Sequence, residues 1–139
     1  MKPLTTILSL PVADPQATAN FYVDGLGLET GGVEDGIVAF ELPNLSIFFI
    51  AADEYGKYLE LSGQPGSKNP VPGASIISCA FATRAEIDEV LDRAVAAGGS
   101  ADGGQDVDGS YMGYFADIDG YIWELVANNQ TSKAADAAE

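Results

Sequence analysis

Residues 113–126 read GYFADIDGYIWELV, and this stretch decides the fold of the chain. Two apolar runs flank the tetrad DIDG at residues 117–120, whose composition is typical of a tight turn. The stretch therefore predicts two strands joined as a hairpin. Alternation in the second strand places Ile122, Glu124 and Val126 on one face. A carboxylate among hydrocarbon neighbours must find hydrogen-bond donors, take up a proton or meet a cationic ligand, so Glu124 is the first candidate for a functional residue.

The chain repeats one order of elements twice. Apolar strand starts at residues 7–10 and 76–79 lie about 70 positions apart. Each is followed by a helix signal: Asp14 caps a helix that begins at Pro15, and residues 83–86 form a capping box. Three strand-like runs follow each helix. They are residues 28–33, 37–42 and 45–51 in the first half, and residues 100–107, 111–117 and 121–127 in the second half.

These elements predict an α+β fold of two tandem βαβββ units, residues 4–52 and 74–127, within one domain of residues 1–127. The linker, residues 53–73, ends in a loop that is rich in Pro and Gly. Its start predicts a short helix carrying Tyr55, Tyr58 and Leu59. This helix is interpreted either as a connector whose aromatic residues cap the core or as a flap over a binding cleft. Residues 128–139 are polar and Ala-rich and predict a flexible tail.

Composition limits the partners. The 139 residues include 6 Lys and Arg against 21 Asp and Glu, for a formal charge of −15. Such a field repels nucleic acid and anionic membrane surfaces, so neither is expected as a partner. The one cysteine, Cys79, fits a reducing cytoplasm. The apolar run of residues 4–12 loosely resembles a secretion signal, but polar residues dilute it and a mature strand is expected.

Four pieces of sequence occur in an order that resembles a known superfamily. They are residues 11–14 before the first helix, residues 21–27 with their Phe-Tyr pair and two glycines, residues 97–99, and the final hairpin. Together they closely resemble the vicinal oxygen chelate superfamily, which contains glyoxalases, bleomycin resistance proteins and extradiol dioxygenases. The resemblance covers roughly residues 4–127. It implies a half-open eight-stranded mixed sheet around a cleft, and a homodimer, since members of the family commonly pair.

The resemblance also implies where a metal would be held. In metal-dependent relatives the glutamate at the position of Glu124 is a ligand, and the other ligand positions fall at Ile7, Phe49 and Ser78. Two of these are hydrocarbon side chains, and the chain contains no histidine. A stable divalent site needs three or four N, O or S donors. We therefore expect no metal and no cofactor.

The predicted function is that of a metal-independent glyoxalase- or bleomycin-resistance-like protein that binds a small cationic or aromatic organic molecule in an apolar cleft. The predicted ligand-binding residues are Glu124, Phe49, Ile7, Ser78 and Tyr58.

Several alternatives stay open. The chain could be a lyase or isomerase that uses Glu124, its only catalytic candidate, as a general base. It could be a metal enzyme that recruits Glu41, Glu60 or a partner subunit, or a subunit with a structural role alone. Glu124 itself could be a structural carboxylate bonded to a tyrosine or to water.

Overall fold

A computed structural model describes residues 1–138, which form four α-helices and nine β-strands. The chain divides into two compact units, Met1–Val71 and a second unit that begins at Pro72. Each unit contains one open mixed sheet, of four strands in the first unit and five in the second. The α+β class predicted from the sequence is confirmed.

The first unit follows the predicted order of elements. Its strands are β1 (Ile7–Val12), β2 (Val33–Glu34), β3 (Ile37–Leu42) and β4 (Leu45–Ala51), and its helices are α1 (Pro15–Asn20) and α2 (Ala52–Ser62). The sheet order is β1-β4-β3-β2, with β1 parallel to β4. Asp14 caps α1 as predicted, because its side chain accepts hydrogen bonds from two backbone N–H groups of the first turn. A π-helical turn, Phe21–Gly25, continues α1.

Aromatic packing forms the core of the first unit. Tyr22 stacks on Phe49 with ring centroids 5.0 Å apart, and its centroid lies 5.4 Å from that of Phe40. All three side chains are buried. Ala17 and Phe21 are four residues apart and so lie on one face of this helix. Phe21 is buried, whereas Ala17 is half-exposed.

The strand predicted for residues 28–33 is wrong over most of its length, because only Val33–Glu34 pairs with a neighbouring strand. Gly31 and Gly32 precede this short strand, and Gly32 has a φ of +97°, which lies outside the strand region. The segment is held to the sheet by a side chain instead. The Thr30 hydroxyl donates a hydrogen bond to the backbone carbonyl of Ala39 at 2.6 Å.

The second unit contains β5 (Ile76–Ala80), α3 (Arg84–Ala96), β6 (Ser100–Ala101), β7 (Gln105–Val107), β8 (Ser110–Ala116), β9 (Ile122–Ala127) and α4 (Asn129–Ala138). The sheet order is β5-β9-β8-β6, and β7 also pairs with β8. The predicted capping box is confirmed: the Glu86 N–H donates to the Thr83 hydroxyl, and the Thr83 N–H donates to the Glu86 carboxylate. Ile87, Leu91 and Ala94 form the buried face of α3.

The strand predicted for residues 100–107 is divided into β6 and β7, which accounts for the fifth strand of this sheet. The interruption contains Gly103 and Gly104. A Cβ atom on Gly104 would lie 2.4 Å from the Tyr111 hydroxyl, so the backbone passes directly against that ring. Only a glycine fits this close approach to the Tyr111 side chain.

The hairpin of residues 113–126 has the predicted form. Asp117 is buried, and one of its carboxylate oxygens accepts hydrogen bonds from the backbone N–H groups of Asp119 (2.9 Å) and Tyr121 (3.0 Å). Gly120 supplies the positive φ, +88°, that the turn requires. The strand β9 alternates as predicted, with Trp123 buried and stacked on Phe115 at a centroid distance of 5.8 Å.

Two segments outside the predicted units differ from expectation. The helix predicted near residues 53–61 is present as α2, but it contacts β1 and β4 and belongs to the first compact unit. The segment predicted as a flexible tail contains a helix that the sequence analysis did not predict, α4 (Asn129–Ala138). Asn128 and Thr131 cap this helix reciprocally, since each side-chain oxygen accepts a hydrogen bond from the other residue's N–H. Glu139, the last residue of the predicted tail, lies outside the described residues.

Within residues 1–138, no helix has both the length and the apolar composition needed to cross a membrane.

Candidate functional site

The sheet of the second unit has one face covered by α3 and one open face. Registered partners in neighbouring strands lie side by side on the same face of a sheet. Ser78 in β5 is registered with Glu124 in β9, which is registered with Tyr114 in β8. These three residues, called here the Glu124 row, therefore cross three adjacent strands on the open face.

Hydrogen bonds join the Glu124 row. The Ser78 hydroxyl donates to one carboxylate oxygen of Glu124 at 3.1 Å, and the Tyr114 hydroxyl donates to the other oxygen in a short contact. Hydrogen bonds to an ionised acceptor are stronger than those between neutral groups. Glu124 is therefore fixed between two side chains, as one of the sequence-based alternatives required.

The contact with Glu124 changes the acidity of Tyr114. The pKa of the Tyr114 phenol is raised, first because ionisation would break its hydrogen bond to Glu124. Loss of hydration and the negative charge of the same carboxylate act in the same direction. The side chain is 41% exposed, so the bonded pair remains open to small molecules. At neutral pH Tyr114 is therefore a protonated donor.

A pocket of about 400 Å³ lies beside the Glu124 row. Residues of β8 and β9 line it, namely Tyr114, Ala116 and Ile122 of the open face together with Phe115, and β6 with the residue after it supplies Ser100, Ala101 and Asp102. Tyr114 belongs to both the pocket and the row. A small molecule in the pocket could thus contact an aromatic ring, aliphatic side chains and the polar row together.

The predicted site residues separate into two groups. Ser78 and Glu124 come together in the second unit, and Ile7, Phe49 and Tyr58 belong to the first unit. Ile7 is exposed on β1, and Tyr58 is exposed on α2. Phe49 is 1% exposed and stacks on Tyr22 in the core. It therefore does not offer the ligand contact that the sequence predicted.

Phe49 lies on the face of the first sheet opposite to the one that carries Ile7, which explains why it does not offer a ligand contact. Its neighbour Phe48 is registered with Ser9 and Ala39, on the face of the first sheet that also carries Ile7. Phe49 is registered with Leu10 and Val38, which are buried. Side chains alternate between the faces of a strand, so an error of one residue in counting moves the assignment to the opposite face.

The internal repeat also refines the position assigned to Ser78. Ile7 lies seven residues before Asp14, the N-cap of α1. The residue seven before Thr83, the N-cap of α3, is Ile76. Ser78 is thus two residues further along its strand than the repeat equivalent of Ile7. Both equivalent positions carry isoleucine, which has no donor atom for a metal.

The side chains beside Glu124 provide few donor atoms for the metal that the resemblance implies. Beside Glu124 the row supplies two neutral hydroxyl groups, both already donating to that carboxylate. Residues 1–138 contain no group of three or more His, Cys, Asp or Glu side chains that could hold a metal ion. Glu41 lies on β3 and Glu60 on α2, and within residues 1–138 neither belongs to a group of this kind. These residues do not fit a divalent metal site.

Sequence reasoning did not identify Tyr114, Ser100 or Asp102 as site residues. Tyr114 could have been found, because the tight turn at residues 117–120 fixes the hairpin register and pairs Tyr114 with Glu124. Ser100 lines the pocket from β6, where it pairs with Ala116, and Asp102 is the first residue after that strand. The pair Gly103-Gly104 indicated a turn or bulge at the interruption between β6 and β7, but not which side chains it brings to the pocket.

Comparisons with known proteins agree with the observed fold. The family model described as Glyoxalase/Bleomycin resistance protein/Dioxygenase superfamily matches residues 5–125. A glyoxalase-related enzyme from Fulvimarina pelagi is similar, with a TM-score of 0.76 and 23% identity over 91% of this chain and 89% of that one. A hypothetical protein from S. aureus has a TM-score of 0.74 and 23% identity over 91% and 95% of the two chains. A glyoxalase/bleomycin resistance protein/dioxygenase from Nocardioides has a TM-score of 0.70 and 25% identity over 91% and 84%. No curated protein matches the sequence.

Proposed function

Because the chain belongs to the glyoxalase/bleomycin resistance protein/dioxygenase superfamily, we propose that it binds a small organic molecule on the open face of its second sheet, without a metal ion. The Glu124 row orients the ligand, and the adjoining pocket receives its apolar part. The cytoplasm is the proposed location, since the single cysteine suits a reducing compartment.

The observation that carries this proposal is the shared position of Tyr114. Its hydroxyl is bonded to Glu124, and its side chain lines the pocket of about 400 Å³. Polar groups that converge beside an apolar concave surface are the usual composition of a small-molecule site. The hydrocarbon side chains of Ile7 and Ile76 support metal independence, because they occupy equivalent strand positions and cannot coordinate an ion.

Two measurements test the proposal. Small aromatic cations, aromatic acids and uncharged aromatic alcohols would be titrated into the isotope-labelled protein while backbone amide signals are recorded. We expect at least one class to shift the amides of Ser78, Tyr114 and Glu124 together. In addition, we expect gently purified protein to contain well under one equivalent of zinc, nickel, manganese or iron per chain. One equivalent of any of them would contradict metal independence.

The hydrogen bond between Tyr114 and Glu124 favours a second candidate, a lyase or isomerase of the same fold. A carboxylate next to a protonated phenol could remove a proton from a bound carbon acid and return one. Proton NMR in heavy water of an added probe that is a carbon acid, an aromatic ketone with hydrogens next to its carbonyl, distinguishes the two functions. Loss of a carbon-bound proton signal with the wild type, but not with Glu124→Gln, would indicate an enzyme.

A further inference from the structure

The Glu124 row uses its hydroxyl hydrogens internally. A serine and a tyrosine each carry one O–H donor, and an ionised carboxylate carries none. Both hydroxyls in the row donate to Glu124. What remains available to a ligand is therefore a set of oxygen lone pairs on Ser78, Glu124 and Tyr114, together with one negative charge.

The surroundings of the row reinforce its negative charge. Asp102 lines the adjoining pocket, and the other residues of the pocket lining are uncharged. In sequence, residues 72–139 contain three Lys and Arg against twelve Asp and Glu, a formal charge of −9. Arg84, one of the three cations, is paired with Asp106 and lies 4.8 Å above the Tyr111 ring. Its guanidinium is thus engaged with other residues.

We propose that the Glu124 row selects its ligand by N–H groups, so that the occupant is a protonated amine, amidine or guanidine with an apolar substituent. This inference rests on the proposed function and narrows it to one ligand chemistry. An organic anion would face lone pairs and like charge. A quaternary ammonium ion carries the right charge but has no donor for the three acceptors. Attraction to the face of the Tyr114 ring does not separate these cations, because it depends on charge rather than on N–H bonds.

A methylation series on one scaffold tests the inference. Benzylamine, its N-methyl and N,N-dimethyl derivatives, and benzyltrimethylammonium are all cations at neutral pH, and their N–H groups decrease from three to none. Benzyl alcohol and benzoate complete the set. We expect affinity, measured from the shifts of the Ser78, Tyr114 and Glu124 amides, to fall along the series. The quaternary ion should bind about tenfold more weakly than benzylamine, since it loses charge-assisted hydrogen bonds.

Two matched variants locate the effect. In Glu124→Gln the amide adds N–H donors and removes the charge, so the preference for benzylamine over the quaternary ion should disappear. Glu89→Gln removes the same charge from an exposed position on α3 and should keep the preference. If the preference falls equally in both variants, the general acidity of the unit is responsible and the inference is overturned.

The failures of the two proposals are distinguishable. Binding that is independent of the number of N–H groups, or that is strongest for the quaternary ion or benzoate, would overturn this inference and leave a small-molecule site in place. If none of the six probes shifts the amides of the row at millimolar concentration, both the inference and the binding function fail. A stepwise loss along the series that depends on Glu124 supports both.

Discussion

Glu124 accepts hydrogen bonds from two different strands, so its replacement tests how much the row contributes to the fold. Glu124→Gln retains one carbonyl acceptor and the shape of the side chain. We expect the free energy of unfolding to decrease by about 1 kcal/mol, because one charge-assisted hydrogen bond is lost. Urea unfolding measures this, with Glu89→Gln on α3 as the control. A variant more stable than the wild type would indicate that the carboxylate is kept at a cost to folding and serves a ligand.

The raised pKa of Tyr114 gives a prediction about alkaline pH. A group whose pKa is higher in the folded state contributes stability below its unfolded pKa, which is about 10 for tyrosine, and loses it as pH rises through the folded pKa. Ultraviolet titration should therefore show Tyr114 ionising above the ordinary range. Glu124→Gln should bring that ionisation back towards about 10. The test is contradicted if wild type and variant give the same titration curve.

Tyr111 provides a second, independent phenol for comparison. Its pKa is also raised, first by the hydrogen bond to Asp88 and then by loss of hydration. Because Tyr111 does not contact Glu124, Glu124→Gln should leave its ionisation unchanged. Because ultraviolet absorbance sums all six tyrosines, each contribution is obtained as a difference curve, Tyr111 from wild type minus Tyr111→Phe and Tyr114 from wild type minus Tyr114→Phe. Only the Tyr114 difference should respond to Glu124→Gln.

At the scale of elements, the break between β6 and β7 depends on Gly104. A methyl group there would meet the end of the Tyr111 side chain, which is held by Asp88 and lies under Arg84. We expect Gly104→Ala to lower the free energy of unfolding by about 1–3 kcal/mol, because the ring must move and lose these contacts. At Gly103 a Cβ would have no neighbour within 4 Å. Gly103→Ala should therefore change stability by less than about 0.5 kcal/mol in the same urea experiment.

The hairpin turn depends on Asp117, which accepts two backbone hydrogen bonds from a buried position. Asp117→Ala leaves those N–H groups without the carboxylate, so a loss of about 1–3 kcal/mol is expected. Asp92→Ala removes the same charge from an exposed site on α3 and is the control. Equal thermal melts for the two variants would show that the turn does not need this side chain.

Some elements could be predicted from the sequence and others could not. The ends of β3 and β4 and the capping box of α3 were predicted correctly, because local periodicity and capping specify them. The pair Gly103-Gly104 indicated a turn or bulge, and β6 and β7 separate there, but the close approach of Gly104 to the distant Tyr111 ring could not be predicted locally. The helix α4 was also missed, although Asn128 and Thr131 were a readable cap and the Ala-rich run that follows favours helix.

The residues of the candidate site also differ in whether they could be predicted from the sequence. Glu124 and Ser78 were found from the sequence, and alternation in β9 placed Glu124 on the face opposite Trp123. Phe49 was assigned to the wrong face, because counting from an anchor tolerates no error of one residue in a strand. Asp102 reaches the pocket through the geometry of a two-residue strand, which no local pattern specifies.

At the scale of the whole molecule, the sheet edges bear on assembly. Within its own sheet, each unit has a long terminal strand, β1 in the first unit and β5 in the second. Exposed strand edges offer unpaired backbone groups, and proteins commonly cover them by association. The sequence resemblance implied a homodimer for the same chain, and a second copy is the partner we propose.

The dimer prediction is tested by light scattering across a range of concentrations. At micromolar concentration we expect about twice the mass of a single chain, because pairing of edges adds backbone hydrogen bonds and buries apolar side chains such as Ile7 and Ile76.

Ile7→Lys and Ile76→Lys place a charge on each edge in turn, and the one that shifts the mass towards the monomer identifies the edge at the interface. Lys substitution at the exposed Val95 of α3 is the control and should leave the mass unchanged. A mass equal to one chain that persists as concentration rises would contradict a dimer. The ligand would then be bound by residues of a single chain.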